Sequence, residues 1–191
     1  MSVTFIGLVI SIGLGLLLAV LMDANEHIEH ALYPIIVASQ TIPTTAIAPL
    51  FIVWFGYGMG SKILVTILIT FFPIVITVFD GLKGTKREME ELLITYGATK
   101  KDVFLKLKVP VALPHFFSAI KMAIPLSVIG AAIAEWLGAQ SGLGYFSKRM
   151  MTQLDGAGVF APIVLLSVVA MVIVGLITVL EKRVIRWRKE I

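Results

Sequence analysis

Residues able to do acid–base, nucleophilic or metal chemistry are few in this sequence and stand apart from one another. The chain has no cysteine, which excludes disulfides and thiolate metal sites. Its histidines, His27, His30 and His115, are isolated, and we interpret them as solvated loop residues rather than ligands. No phosphate-binding G-x-x-x-x-G-K-[ST] occurs, and the G-x-G-x-G at 56–60 follows no strand. The sequence therefore predicts no enzyme, no ATPase motif, no cofactor and no metal site.

Charged residues concentrate in the segment 84–110, inside a chain that is 58% hydrophobic. Two capping patterns, T-x-x-E from Thr85 and T-x-x-D from Thr99, each predict the start of a short helix. Gly97 between them suits the left-handed position that ends the first helix. The sequence therefore predicts a helix–glycine–helix element, with Pro110 ending the second helix and turning the chain back towards the membrane.

Apolar residues recur along one face of each short helix at helical spacing. They are Met89, Leu92 or Leu93, and Tyr96 on the first helix, and Val103, Phe104 and Leu107 on the second. One interpretation is an amphipathic hairpin lying on anionic lipid. The other is a helix pair whose apolar side chains fill a groove on a cytoplasmic partner.

Five apolar segments surround the charged one and are long enough to cross a bilayer. They are Val3–Met22, Ala31–Tyr57, Lys62–Phe79, Pro114–Trp136 and Phe160–Leu180. A cleaved signal peptide explains the first segment poorly, because it lacks a basic n-region and exceeds an h-region in length. With a mean hydropathy of +0.97 and 15% charged residues, the sequence predicts an all-α, polytopic membrane helix bundle of about five spans.

Basic residues set the predicted orientation. Twelve of the sixteen Lys and Arg residues lie between Phe79 and Pro114 or beyond Leu180. Those beyond the last span are Lys182, Arg183, Arg186, Arg188 and Lys189. The positive-inside rule then places both regions, and the acidic loop Asp23–Glu29, in the cytoplasm, with the N-terminus outside. The same rule explains the net charge of +4 without a nucleic-acid partner.

The second apolar segment is interrupted by polar residues and prolines between Ser39 and Pro49. Proline removes a backbone donor, and at membrane depth the freed groups need protein or water around them. The interruption is either a kink patched by threonine hydroxyls or the lining of a translocation pathway. Both interpretations place this segment inside the bundle rather than facing lipid.

Stripes of small residues predict close helix contacts in the first and fourth spans. They are Gly7, Ser11, Gly15 and Ala19, and then Ala123, Ser127 and Ala131. Only Lys121 and Glu135 are ionisable candidates within a span, and neither has an evident partner in the sequence. Glu135 either lines a gate or accepts hydrogen bonds from the following loop and Ser141. We predict a water-accessible pathway at a two-fold interface, lined by Gln40, Thr44, Ser127, Ala131 and Glu135.

Two stretches resemble a known family. The pattern E-x₅-G-x₉-L-x-V-P, from Glu91 to Pro110, resembles the cytoplasmic E-A-A loop of the permease subunits of bacterial ABC importers. Leucines stand where that loop usually has alanines. The stretch 134–145, AEWLGAQSGLGY, resembles the A-E-x-x-G-x-x-x-G-L-G-Y segment of importers for nitrate, sulfonates, taurine and thiamine-type pyrimidines.

The resemblance implies a single transmembrane permease domain over 1–191, of the type I importer kind, with a coupling helix in the loop 84–110. The implied ATPase-coupling residues are Glu91, Tyr96, Gly97, Ala98, Thr99 and Pro110. It further implies a cytoplasmic ATP-binding subunit, an extracytoplasmic substrate-binding protein, a second permease copy in a homodimer, and a place in the bilayer of the bacterial inner membrane.

The solute that this resemblance implies is small and organic, such as a thiamine-type pyrimidine precursor or a sulfonate- or nitrate-like compound. Members of this group commonly carry one more span before the position of Met1. Either the start site differs, the chain is truncated, or this is a five-span variant. The alternative function is an ion-gradient-driven secondary transporter or channel, which requires buried ionisable residues in several spans.

Overall fold

A computed structural model describes residues 2–186, so Arg188 and Lys189 of the basic C-terminus lie outside the described residues. The described part is helical without a strand, which confirms the predicted all-α class. Its α-helices are α1 Ser2–Ala24, α2 Glu26–Ser39, α3 Thr44–Phe55, α4 Met59–Lys83, α5 Arg87–Thr95, α6 Lys100–Val103, α7 Val109–Gly138, α8 Leu143–Thr152 and α9 Gly156–Val184. A π-helical turn, Phe104–Lys108, joins α6 to α7.

Within residues 2–186, four helices are long and apolar enough to cross a membrane: α1, α4, the continuous helix Lys100–Gly138 and α9. The pair α2 and α3 qualifies as a broken fifth span, bent by 97°. The 39 residues of Lys100–Gly138 extend about 58 Å, roughly twice the thickness of a hydrocarbon core. We therefore assign the predicted span Pro114–Trp136 as the part that crosses, and the lysine-rich first turns, through Pro110, as the part that projects beyond the membrane.

The bundle core lies where α1, α4 and α7 meet, and small residues allow the close approach. Gly7, Ser11, Gly15 and Ala19 are all buried on α1, as the sequence predicts. A Cβ on Gly15 would come within 2.6 Å of Cγ2 of Ile74 on α4. Close packing of this kind stabilises helix pairs in lipid, where burial of apolar surface provides little driving force.

The prediction that Pro110 ends the second short helix is wrong. The helix continues through it, and Pro110 occupies the first turn of α7. The preceding π-helical turn explains this, because Val109 donates its N–H to Phe104 five residues earlier. Proline lacks an N–H, and its ring clashes with the carbonyl four residues earlier in a regular helix. We attribute the tolerance of Pro110 to the wider turn, which relaxes that contact.

The prediction that Thr85 caps the first short helix is also wrong. The helix α5 begins at Arg87, and its N-terminal flanking residue is Lys86, which makes no side-chain cap. The Oγ1 of Thr85 is buried without a hydrogen-bond partner among residues 2–186. Because α4 extends to Lys83 and α5 begins only at Arg87, Thr85 lies in the middle of the three-residue connection 84–86 and not at the start of a helix.

Ion pairs join regions that the orientation argument places on one side. Glu29 in α2 lies 2.6 Å from Lys83 at the end of α4, so the acidic stretch Asp23–Glu29, which is helical except at Asn25, lies beside the residue that precedes the charged segment. The expectation that Lys121 has no partner is wrong, because its Nζ lies 2.7 Å from Glu181 on α9.

The prediction that the histidines are loop residues is also wrong. His27 and His30 lie in α2 and His115 in α7.

Candidate functional site

The turn between α5 and α6 is formed by backbone hydrogen bonds around a left-handed glycine. Gly97 has φ +85°, as predicted. Its N–H donates to the carbonyl of Ile94 at 2.9 Å, and the N–H of Ala98 donates to that of Leu93 at 3.0 Å. This pair of bonds is a Schellman motif, which closes the C-terminus of α5. A Cβ at Gly97 would meet no atom of residues 2–186 within 4 Å, so the demand for glycine here is conformational and not steric.

A capping box begins the next helix, as the sequence predicts. The hydroxyl of Thr99 accepts from the N–H of Asp102, while the Asp102 carboxylate accepts from the N–H of Thr99. Hydrogen bonds from Lys106 and Thr99 lower the pKa of Asp102 from 3.8 to about 2. The carboxylate that completes the box is therefore charged throughout the physiological pH range. Caps on both sides thus hold the four residues Tyr96–Thr99 in one conformation.

This turn presents an apolar surface to solvent. The side chain of Tyr96 is 82% exposed, and Met89 and Leu92 are about half exposed. We call these three residues, with the turn Gly97–Thr99, the coupling surface. The second helix contributes less than predicted. Val103 is buried and Phe104 packs against the bundle core, so this helix turns its apolar face inward.

The six predicted coupling residues do not all lie together. Glu91, Tyr96, Gly97 and Thr99 are exposed around one turn, with Ala98 half-buried among them. Glu91 pairs with Arg87 at 2.9 Å on the exposed side of α5. Pro110 is set apart from them, about three helical turns beyond the capping box in the continuous helix. The structure therefore groups the first five residues and leaves Pro110 as part of the connection to the membrane.

A second ordered turn lies at the opposite end of α7. The carboxylate of Glu135 accepts a 2.8 Å hydrogen bond from the N–H of Gly144, in the first turn of α8. Lys148 on α8 donates to the carbonyl of Trp136 at 2.6 Å. Gly142, which precedes α8, has φ +119°. Of the two interpretations of Glu135, the geometry supports the second, because its carboxylate accepts a backbone hydrogen bond from the segment that follows the span. Its partner is Gly144 rather than Ser141.

The five predicted pathway residues do not share one surface in this structure. Gln40 is exposed at the break between α2 and α3, and Thr44 is half-buried there. Ser127 and Ala131 are buried inside the chain, and the hydroxyl of Ser127 donates to the carbonyl of Ile124. A role of all five in transport remains a prediction. For Ser127 and Ala131 to face water, α7 must move relative to its neighbours during the transport cycle.

One charged cluster has no counterpart in the sequence predictions. Lys108 lies at hydrogen-bonding distance from Asp23, which is at the end of α1, and also pairs with Glu90 on α5. The one sequence signal is that Asp23 and Lys108 flank apolar spans on the same predicted side. Nothing in their spacing indicates that they meet, because the contact depends on the π-helical turn and on the packing of α1.

Comparisons with known proteins agree with this architecture. Residues 11–186 match the family described as binding-protein-dependent transport system inner membrane component. The formylaminopyrimidine transport permease protein ThiX of Halalkalibacterium halodurans is 54% identical, over 100% of this chain and 76% of its own length. The putative aliphatic sulfonates transport permease protein SsuC of Bacillus subtilis is 31% identical, over 96% of this chain and 66% of its own length.

A solved structure shows the same fold. Inward-facing conformations of the MetNI methionine ABC transporter match with a TM-score of 0.72 at 24% identity, covering 99% of this chain and 90% of that chain. The family match decides against an ion-gradient-driven secondary transporter or channel. The chain belongs to the binding-protein-dependent transport system inner membrane components, and it is a multi-pass permease subunit of an ABC importer in the bacterial inner membrane.

Proposed function

We propose that two copies of this chain form the membrane pathway of an importer, and that a separate ATP-binding subunit docks on the coupling surface of each. The observation that carries this proposal is Tyr96, which projects from a turn capped on both sides and is 82% exposed. Aromatic side chains on rigid supports are the usual anchors of protein interfaces. Because the caps already hold the backbone of the turn, docking has to order only the Tyr96 side chain.

The lipid-lying alternative is less well supported for α5, the helix that leads to Tyr96, because this helix is net acidic and most basic residues of the segment 84–110 lie after it. The helix α5 carries Glu88, Glu90 and Glu91 in little more than two turns. Amphipathic helices that bind anionic lipid are instead rich in Lys and Arg on the polar face. We therefore propose a protein groove rather than the membrane surface as the site where Tyr96 is buried.

The test of docking uses two substitutions at one glycine. Gly97→Val places a β-branched residue at φ +85°, which costs about 1–3 kcal/mol and distorts the turn. Gly97→Asn is the matched control, because asparagine tolerates the left-handed region. We expect co-purification of the ATP-binding subunit in detergent to fall about tenfold for Gly97→Val and to persist for Gly97→Asn. An undiminished yield with Gly97→Val would count against the coupling role.

We further propose that the solute is a formylaminopyrimidine, delivered by an extracytoplasmic binding protein. The support is the relative named for formylaminopyrimidine transport, which is 54% identical across the whole of this chain. The relative named for aliphatic sulfonates is 31% identical. Growth of a deletion strain that depends on external formylaminopyrimidine should fail, and growth on a sulfonate as sulfur source should be unaffected. The reverse pattern would assign the sulfonate instead.

The pathway is the remaining part of the proposal, and the absence of native cysteine makes it testable. Single cysteines at Gln40, Thr44, Ser127 and Ala131 are exposed in turn to a membrane-impermeant thiol reagent. Gln40 and Thr44, at the break, should react in the assembled complex. Ser127 and Ala131 should react only when ATP changes the packing of α7. Protection of all four in every nucleotide state would identify these segments as packed core.

A further inference from the structure

Three charged side chains from three separate elements meet beside the coupling surface. The Nζ of Lys108, at the end of the π-helical turn, lies 2.9 and 3.2 Å from the two carboxylate oxygens of Asp23 in α1. The same Nζ lies 3.4 Å from Oε1 of Glu90 in α5. The Asp23 side chain is only 4% exposed and that of Lys108 17%, whereas that of Glu90 is 28% exposed. The cluster therefore connects a membrane span with the helix that leads to Tyr96.

The two halves of this cluster differ in strength. Asp23 and Lys108 are nearly buried and form two short contacts, and breaking a buried pair leaves an uncompensated charge. Glu90 has one longer contact and more access to solvent, so water can replace it at small cost. The Asp23–Lys108 contact is thus a fixed attachment, and the contact with Glu90 is one that can open and close.

The helix α5 has little other attachment to the bundle. None of its residues is buried. A cavity of about 500 Å³ lies between it and the end of α1, lined by Val20, Ala24, Ile94 and Phe104 among others. An element that rests on a polar contact over a cavity can shift as a unit without disturbing a packed core. The π-helical turn beside it is a feature often found where a helix serves a function.

We propose that Asp23, Lys108 and Glu90 form a charged joint that positions α5 against α1 and passes movement of a docked ATP-binding subunit to the first span. This inference rests on the proposed coupling role of the Tyr96 turn. Asp23 and Lys108 hold the end of α1 to the projecting helix. Glu90 is a positioning residue that links α5 to that attachment, so that the position of α5 is communicated to α1.

The experiment measures how accessible a residue beside the joint is to a thiol reagent in different nucleotide states. Ala24, which is exposed and lines the cavity, is replaced by cysteine in the otherwise cysteine-free chain. The complex with its ATP-binding subunit is treated with a fluorescent maleimide, with and without ATP plus vanadate. Glu90→Gln is then added, which leaves the Asp23–Lys108 pair intact. Glu88→Gln is the matched control, because Glu88 is an exposed glutamate on the same helix.

We expect the labelling rate at position 24 to change about threefold or more between nucleotide states when Glu90 is present. Glu90→Gln should remove this change while the ATP-binding subunit still co-purifies and hydrolyses ATP, and Glu88→Gln should retain it. A nucleotide-dependent change that survives Glu90→Gln, or one that is absent with Glu90 intact, overturns the joint. Loss of the ATP-binding subunit on Glu90→Gln also overturns it, by assigning Glu90 to the docking surface. An undiminished yield of that subunit with Gly97→Val, the separate test of docking, refutes instead the coupling role on which the joint rests.

Discussion

Two turns at opposite ends of the bundle both depend on a glycine with positive φ, but for different physical reasons. Gly97, between α5 and α6, has φ +85° and open space around the position of a Cβ. Gly142, before α8, has φ +119°, and a Cβ there would overlap the carboxylate of Glu135. The first turn restricts only the backbone, whereas the second restricts the backbone and the space beside it.

The two turns also differ in which side chains they bury and which they expose. Around Gly142, Glu135 accepts from Gly144 and Lys148 donates to Trp136, so the polar groups are satisfied within the chain. Around Gly97 the backbone is satisfied by its caps, while Tyr96 remains exposed. A turn whose polar groups bond to neighbouring segments of the same chain contributes to the stability of the fold. A rigid turn that exposes an aromatic residue is built to meet another molecule.

We call the turn at Gly142 the outer turn and the turn at Gly97 the inner turn, after their predicted sides of the membrane. The largest expected effect is on the stability of the outer turn. Gly142→Ala should destabilise the chain by about 2–4 kcal/mol, because it combines backbone strain with displacement of Glu135 from its hydrogen bond. Gly97→Ala should cost about 1 kcal/mol, since only the conformational term applies. The measurement is the thermal unfolding midpoint of each purified variant in detergent. Equal losses for the two alanines would remove the distinction between the turns.

The sequence predicts the Gly97 turn well because each of its signals is local. Thr99 and Asp102 are three residues apart, and a glycine that ends a helix acts on its immediate neighbours. The same type of pattern fails at Thr85, because α4 extends to Lys83 and leaves Thr85 inside a three-residue connection, two residues before α5 begins. The spans and the small-residue stripe of α1 are also predictable, because hydropathy and four-residue spacing are local properties.

Contacts between distant segments are what the sequence does not reveal. Lys121 and Glu181 are sixty residues apart, and no short pattern relates them. The attachment of Lys108 to Asp23 requires knowledge of the π-helical turn, which in turn depends on how Pro110 is accommodated within a continuous helix. Ser127 is a second example, in which the residue type alone does not indicate the environment of the side chain. Its small polar side chain favours a pathway or a helix contact equally, and only packing shows that it is buried.

A smaller effect is expected for the carboxylate of the outer turn, and it separates the two interpretations of Glu135. Glu135→Ala leaves the N–H of Gly144 without its acceptor and should cost about 1–2 kcal/mol in the unfolding measurement. Glu135→Gln keeps an acceptor oxygen and should retain most of the stability. Gln140→Ala, at an exposed position in the same loop, is the control. A stable Glu135→Gln variant that no longer transports would assign the charge to a gate rather than to the turn.

The smallest expected effect concerns the glutamate of the inner turn. Glu91 pairs with Arg87 four residues earlier at 2.9 Å, and the two side chains are 63% and 89% exposed. Exposed pairs of this spacing contribute only about 0.3–0.5 kcal/mol, so Glu91→Gln and Arg87→Ala should both leave the unfolding midpoint nearly unchanged. The family resemblance includes Glu91 among the coupling residues, and we predict that its carboxylate itself contacts the ATP-binding subunit. Recovery of that subunit should therefore fall for Glu91→Gln and not for Arg87→Ala. If Arg87→Ala lowers recovery as much as Glu91→Gln does, the ion pair within α5 is the feature that docking requires. If neither variant lowers it, Glu91 makes no contact with the ATP-binding subunit, and the coupling surface alone carries the docking.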